Sequence, residues 1–289
     1  MSIERNVVIH NYSGRELHVD LYQPDGGSAP TRSAVLLIHG GGWAVGHRNT
    51  MEGLARAFAA RGFLAVAVEY RLLPEAPWPA ALEDVSTAAK WTASNAERLG
   101  IDPARIVLAG SSAGGHLALL ATARLRQNPR IAAVISLFAA SDLTLATVPE
   151  KGRFNATALL GAGASEATLR AATPLQQLTA DFPPVLLLHG GADWLIDPIA
   201  SQRVYDKLVS LGCAAELHIL AGATHEFTSE PRMVEPVVAE AAWFLDRLVL
   251  EPQRWAAEAK ANNLFAQGPE AFKAAKAKAA AQGAGHSPP

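Results

Sequence analysis

Ile106-Val107-Leu108-Ala109-Gly110-Ser111-Ser112-Ala113-Gly114-Gly115 carries the reading of this chain. Four apolar residues run without a break into a cluster of small ones, and a helical pattern with Leu117, Leu119 and Leu120 follows. An unbroken apolar run of this length reads as a strand buried on both faces. Gly110-Ser111-Ser112-Ala113-Gly114 is then G-x-S-x-G at a strand-to-helix junction, the context in which this pattern lifts a reactive serine onto a sharp turn. Register selects the serine. Centring on Ser112 places Gly110 and Gly114 at the two outer positions, whereas centring on Ser111 would place Ala109 and Ala113 there. The turn strains the backbone, so only small neighbours fit beside it.

Outward from this stretch the same rhythm repeats. Val35-Leu36-Leu37-Ile38, Leu64-Ala65-Val66-Ala67-Val68, Ala133-Val134-Ile135-Ser136-Leu137 and Val185-Leu186-Leu187-Leu188 are further apolar runs. Helical patterns lie between or after them, at about 49–61, 80–98, 113–127, 199–211 and 233–249. Strands alternating with helices argue for an α/β fold with a mostly parallel sheet of about eight strands, covered by helices on both faces. Residues 5–10 and 16–22 read instead as an antiparallel hairpin at the sheet edge, and residues 216–220 as the last strand.

Composition bounds the function. The chain has 289 residues, 25 basic and 27 acidic, with a net charge of −2. It has no basic stripe of the kind nucleic acid requires. Cys213 is the only cysteine, so an internal disulfide and a cysteine-based zinc site are both excluded. The first residues carry no apolar core of a signal peptide, and no run approaches the about 18 apolar residues of a membrane span. A cytoplasmic protein is expected. Residues 1–250 read as one domain. Residues 251–289 are rich in Ala, Lys, Gln and Gly, and are expected to form helix around 253–265 and 269–281 with a disordered end.

Two further stretches bear on the serine. His39-Gly40-Gly41-Gly42-Trp43 follows an earlier buried strand. Consecutive glycines let backbone amides turn toward a substrate, and preorganised amides stabilise the oxyanion of acyl transfer. The amide of Ala113, just after the serine, is the other expected donor. Trp43 is a candidate wall of the substrate pocket, with plain packing as the alternative. His39 is expected to shape the loop.

A serine of this kind needs a base, and the base needs a carboxylate, in the chain order Ser, Asp or Glu, His. Asp193 and Asp197 both follow the strand at 185–188. Asp193 is nearer the strand end, while Asp197 precedes Pro198 and suits a helix cap. His218 lies within a strand pattern and His286 in the tail. His225, in the loop Gly222-Ala223-Thr224-His225-Glu226-Phe227, is the expected base. The histidines show no HExxH or similar spacing, so no metal and no cofactor is expected.

HGGGW at 39–43, YRLLPEAPWPAALEDV at 70–85, DPARIVLAGSSAGG at 102–115, PPVLLLHGGADWLID at 183–197 and ATHEF at 223–227 resemble the hormone-sensitive-lipase-like branch of the α/β-hydrolases and the similar bacterial esterases. The resemblance runs over about residues 5–250. It implies a carboxylesterase in which Ser112, Asp193 and His225 form a triad. It also implies that the amides of Gly41, Gly42 and Ala113 form the oxyanion hole, and that the substrate is a small ester. Arylformamidases and deacetylases of acylated sugars are the enzyme alternatives, and a small-molecule receptor on the same fold is the non-enzyme one. Only a short hairpin region precedes His39 here, unlike the longer N-terminal cap typical of that branch. A small cap is expected within residues 143–178. Dimerisation is common in the resembling group, so the resemblance makes a homodimer the candidate assembly.

Overall fold

The computed structural model describes residues 1–26, 30–126, 128–144 and 156–283. It forms two compact units, residues 1–244 and a C-terminal unit from Leu245 onward. Among the described residues the first unit is built on one eight-stranded sheet: β1 (Ser2–Tyr12), β2 (Arg15–Gln23), β3 (Ala34–Ile38), β4 (Leu64–Val68), β5 (Ile106–Ser111), β6 (Ile131–Leu137), β7 (Val185–Gly190) and β8 (Ala215–Leu220). Their spatial order is β1-β2-β4-β3-β5-β6-β7-β8. β2 pairs antiparallel with β1 and with β4, and every later pairing is parallel.

Sequence chemistry accounts for the layout. Every residue of β3, β4 and β5 is buried, so both faces of the sheet centre are covered, as their unbroken apolar runs require. At the edge, β1 is mostly exposed and broken by register shifts near Glu4 and Val8. Such irregularity blunts an edge strand against pairing with another chain. The hairpin is longer than its apolar pattern predicts. Asn11 Oδ1 accepts from Gly14 N at 2.7 Å, and Ser13 and Gly14 take positive φ, the twist that a tight hairpin favours.

The helices are α1 (Glu52–Ala60), α2 (Ala80–Ser94), α3 (Ala96–Leu99), α4 (Ala113–Leu125), α5 (Ala156–Leu160), α6 (Glu166–Ala171), α7 (Ile199–Ser210), α8 (Pro231–Leu245), α9 (Pro252–Asn262) and α10 (Pro269–Gly283). The helix expected over 80–98 is broken at Asn95, whose side-chain amide donates to Trp91 O at 2.9 Å and so competes with the helical ladder. Before α2, Arg71 pairs bidentately with Asp84, which is fully buried. This pair ties the 70–79 connection to the helix.

Within the C-terminal unit, Trp255 Nε1 donates to Asp246 at 2.8 Å and the rings of Phe265 and Phe272 stack at 5.1 Å. Of the disordered end expected at 283–289, Gly283 instead closes α10, and 284–289 lie outside the described residues. No described helix is long and apolar enough to cross a membrane.

Candidate active site

The loops that leave β3, β5, β7 and β8 emerge at the carboxyl edge of the parallel strands, where ligands of open α/β sheets bind. Ser112 stands between β5 and α4 with φ 53° and ψ −119°, a region non-glycine residues rarely occupy. Its amide donates to Leu137 O at 2.9 Å, and its carbonyl accepts from His116 N at 3.1 Å. The glycines around it are steric requirements. A β-carbon on Gly110 would stand 2.3 Å from the Gly114 carbonyl, and one on Gly114 would stand 2.0 Å from Ile38 O. The turn therefore closes only when both positions lack a side chain. Ser112 Oγ is thereby fixed at the positive end of α4.

The structure brings Ser112, His225 and Asp193 together. Ser112 Oγ donates to His225 Nε2 at 3.0 Å, and His225 Nδ1 donates to Asp193 Oδ2 at 2.7 Å. The other oxygen, Asp193 Oδ1, accepts from the amides of Leu195 and Ile196 at 2.9 and 3.0 Å. Burial pushes the Asp193 carboxyl up. Hydrogen bonds from His189, His225 and the Ile196 amide outweigh that and hold it well below the usual carboxylate range. Asp197 lies apart from this series and caps a helix, its Oδ1 accepting from Ile199 N at 3.0 Å. His218 pairs with Glu240 on α8.

The glycine loop turns tightly beside the serine. Ala44 N and Val45 N both donate to Gly41 O, at 3.1 and 3.0 Å. A β-carbon on Gly41 would stand 2.0 Å from Val45 O. His39 shapes this loop as expected. Its Nδ1 donates to Gly40 O at 2.7 Å, and its ring stacks on Tyr70 at 4.2 Å. The Tyr70 hydroxyl donates to His39 O at 3.0 Å. Burial pushes the His39 pKa down to about 4, which keeps the ring neutral.

A cleft of about 380 Å³ opens over Ser112, His225, Gly41 and Gly42, walled by Trp194, Leu195 and Glu226. A second cavity of about 330 Å³ lies beyond Gly40 and Gly41, and Glu226 borders it as well.

Trp43 does not wall this cleft, which corrects the reading of it as a pocket residue. It is 1 % exposed, and its indole donates to His116 Nδ1 at 3.3 Å. A positive φ of 60° turns it inward, toward a neutral His116 whose Nε2 donates to Ala172 O at 2.8 Å. Part of the expected cap, 145–155, lies outside the described residues. Over the rest, the 3-10 turn Pro174–Gln176 contacts α4 and α7, and no described residue from 156 to 178 lines the cleft.

Sequence reasoning missed three neighbours of the site. His189 is fully buried and donates from Nε2 to Asp193 Oδ2 at 3.1 Å, while its Nδ1 accepts from Ser201 Oγ at 2.8 Å. Its spacing of four from Asp193 was the available signal. Phe138, at φ 38°, meets the His225 ring edge-on at 5.0 Å. Glu226 reaches over Gly40, where its Oε1 lies 3.3 Å from the place a β-carbon would take.

Comparison with known proteins agrees with this architecture. The chain is 36% identical to the carboxylesterase NlhH of Mycobacterium tuberculosis over 214 residues, covering 71% of this chain and 66% of that one. It is 31% identical to the ethyl acetate hydrolase of Pseudomonas putida over 238 residues, covering 77% and 74%. It is also 31% identical to the esterase LipC of M. tuberculosis, covering 68% of this chain and 54% of that one. The chain thus spans about half to two thirds of the length of the two mycobacterial relatives. The propionate-bound structure of esterase 2 from Thermogutta terrifontis superposes with a TM-score of 0.72 at 25% identity, over 86% of this chain and 94% of that one. The BD-FAE family model matches residues 19–208. The chain belongs to the BD-FAE family, within the α/β-hydrolases.

Proposed function

We propose that the protein is a carboxylesterase that cleaves short- to medium-chain acyl esters through an acyl-enzyme. One observation carries the reading: Ser112, His225 and Asp193 form a continuous hydrogen-bonded series at the mouth of a cleft. In the first step Ser112 Oγ attacks the ester carbonyl carbon while its proton passes to His225 Nε2. Asp193 holds the ring in the tautomer that leaves Nε2 free, and stabilises the imidazolium. The amides of Gly41, Gly42 and Ala113 receive the oxyanion, each such donor lowering the barrier by about 3 kcal/mol. His225 then returns the proton to the departing alkoxide, and the alcohol leaves. Water repeats the sequence on the acyl-serine, releasing the acid and restoring the hydroxyl.

The test is turnover of 4-nitrophenyl butyrate by the wild type and by Ser112→Ala. The expected outcome is a loss in kcat/KM of at least about a thousandfold in the variant. Retention of wild-type turnover overturns the reading. The substrate is a small-molecule ester under this reading, and the single cysteine suits the reducing cytoplasm.

A further inference from the structure

Glu226 occupies a position that glycine would fill at less cost. Its φ of 55° and ψ of 32° are left-handed, a conformation that is unfavourable for a residue with a β-carbon. The backbone is pinned there. Glu226 O accepts from Ser229 N at 2.8 Å, and the next residue, Phe227, is buried edge-on against Phe138 at 4.9 Å. The side chain is therefore aimed at Gly40. Glu226 Oε1 and Ser112 Cβ each lie 3.3 Å from the point a β-carbon on Gly40 would occupy. A carboxylate thus flanks the reactive serine.

That placement also opposes the chemistry, because a negative charge beside a developing oxyanion raises its energy. Two costs at one position, backbone strain and electrostatic opposition, point to a role in recognition. Glu226 lines both cavities around the serine. Among the described residues lining either cavity there is no lysine or arginine, and no second carboxylate. A cleft with charge of one sign and low-dielectric walls concentrates ligands of the opposite sign. Trp194 lines the same cleft and offers the aromatic surface that organic ammonium groups favour.

We infer that Glu226 makes this site select esters that carry a positive charge close to the scissile bond, and reject those that carry a negative one. The inference rests on the proposed ester hydrolysis and adds its substrate class.

The experiment compares three acetate esters of similar size: acetylcholine, 3,3-dimethylbutyl acetate and 2-acetoxyethanesulfonate. Each kcat/KM is divided by the hydroxide-catalysed rate of the same ester, so only the enzyme's preference is read. In the wild type the ammonium ester exceeds the sulfonate by about tenfold or more, and the ratio falls as salt rises. In Glu226→Gln the ratio collapses to within about twofold of unity, and in Glu226→Lys it inverts. Equal wild-type rates on the charged pair, or a ratio preserved in Glu226→Gln, overturn the inference. If neither variant folds, the wild-type ratio still decides: compression toward unity at about 1 M salt supports the inference, and a salt-independent ratio overturns it. Failure of the wild type on all three esters, the neutral one included, removes the esterase reading itself and the selectivity with it.

Discussion

The carboxylate of Asp193 accepts four hydrogen bonds, two on each oxygen, from His189, His225 and the amides of Leu195 and Ile196. A buried carboxylate is tolerable only when its lone pairs are satisfied in this way. His189 supplies one of the four, and because it is held in turn by Ser201 it also fixes where Oδ2 points. His189→Phe keeps a ring of similar bulk and removes the donor. The loss is a hydrogen bond to a charged group, which stabilises by about 1.5–3 kcal/mol. Asp193 titrates below its unfolded value, so its contribution is present above about pH 4 and is lost as pH falls through the depressed folded value. Urea melts of the two proteins are therefore expected to differ by that amount at pH 7. The gap narrows only when pH falls far enough to protonate Asp193 in the folded variant, below the ordinary carboxylate range. Equal stability of the two proteins at pH 7 would mean that His189 only fills space. Glu226 illustrates the opposite case at the same scale, a charge left at the wall of the cleft and held by strained backbone.

At the scale of elements, the strands at the sheet centre were legible because they are buried on both faces, so their residues are apolar without alternation. Residues 106–109 and 64–68 are examples. The hairpin was legible in kind but short in extent, because an edge strand such as β1 carries mostly exposed residues and shows little pattern. The break at Asn95 was hidden because it depends on one side-chain amide reaching back to Trp91 O. The serine turn could be read because its chemistry is steric. Glycines at 110 and 114 are forced by contacts with the Gly114 carbonyl and with Ile38 O, and those contacts leave a spacing in the sequence. Loop side chains lack such a rule. Trp43 follows three glycines and reads as a pocket wall, yet its positive φ directs it to His116 in the core. Glu226 is hidden for the same reason, because its direction depends on where other loops arrive and no periodicity encodes that. His189 stands at the end of β7 and shows only as a spacing of four from Asp193.

The molecule as a whole carries a pH dependence set by histidines held in its interior. Burial pushes the pKa values of His39 and His116 down to about 4. Their unfolded value is near 6.5, so between about pH 6.5 and 4 the unfolded chain binds two protons that the folded chain does not. Stability falls as pH drops through that window, by up to about 1.4 kcal/mol per pH unit for each histidine. Denaturant melts in steps from pH 7.5 to 4 are expected to show this slope. His116→Gln is expected to remove about half of it, and a flat profile over the window would contradict the account. His39 supports the glycine loop and His116 receives Trp43 behind it, so acid is expected to loosen the cleft from both sides.

The central claim is that Ser112, and no other residue, is the activated nucleophile. Its most direct test is exposure of the native protein to a fluorophosphonate, followed by intact-mass and peptide analysis. One adduct per chain is expected, on the serine at 112, with Ser112→Ala unmodified under the same conditions. An unmodified wild type, or an adduct on Ser111 or another residue, would contradict it.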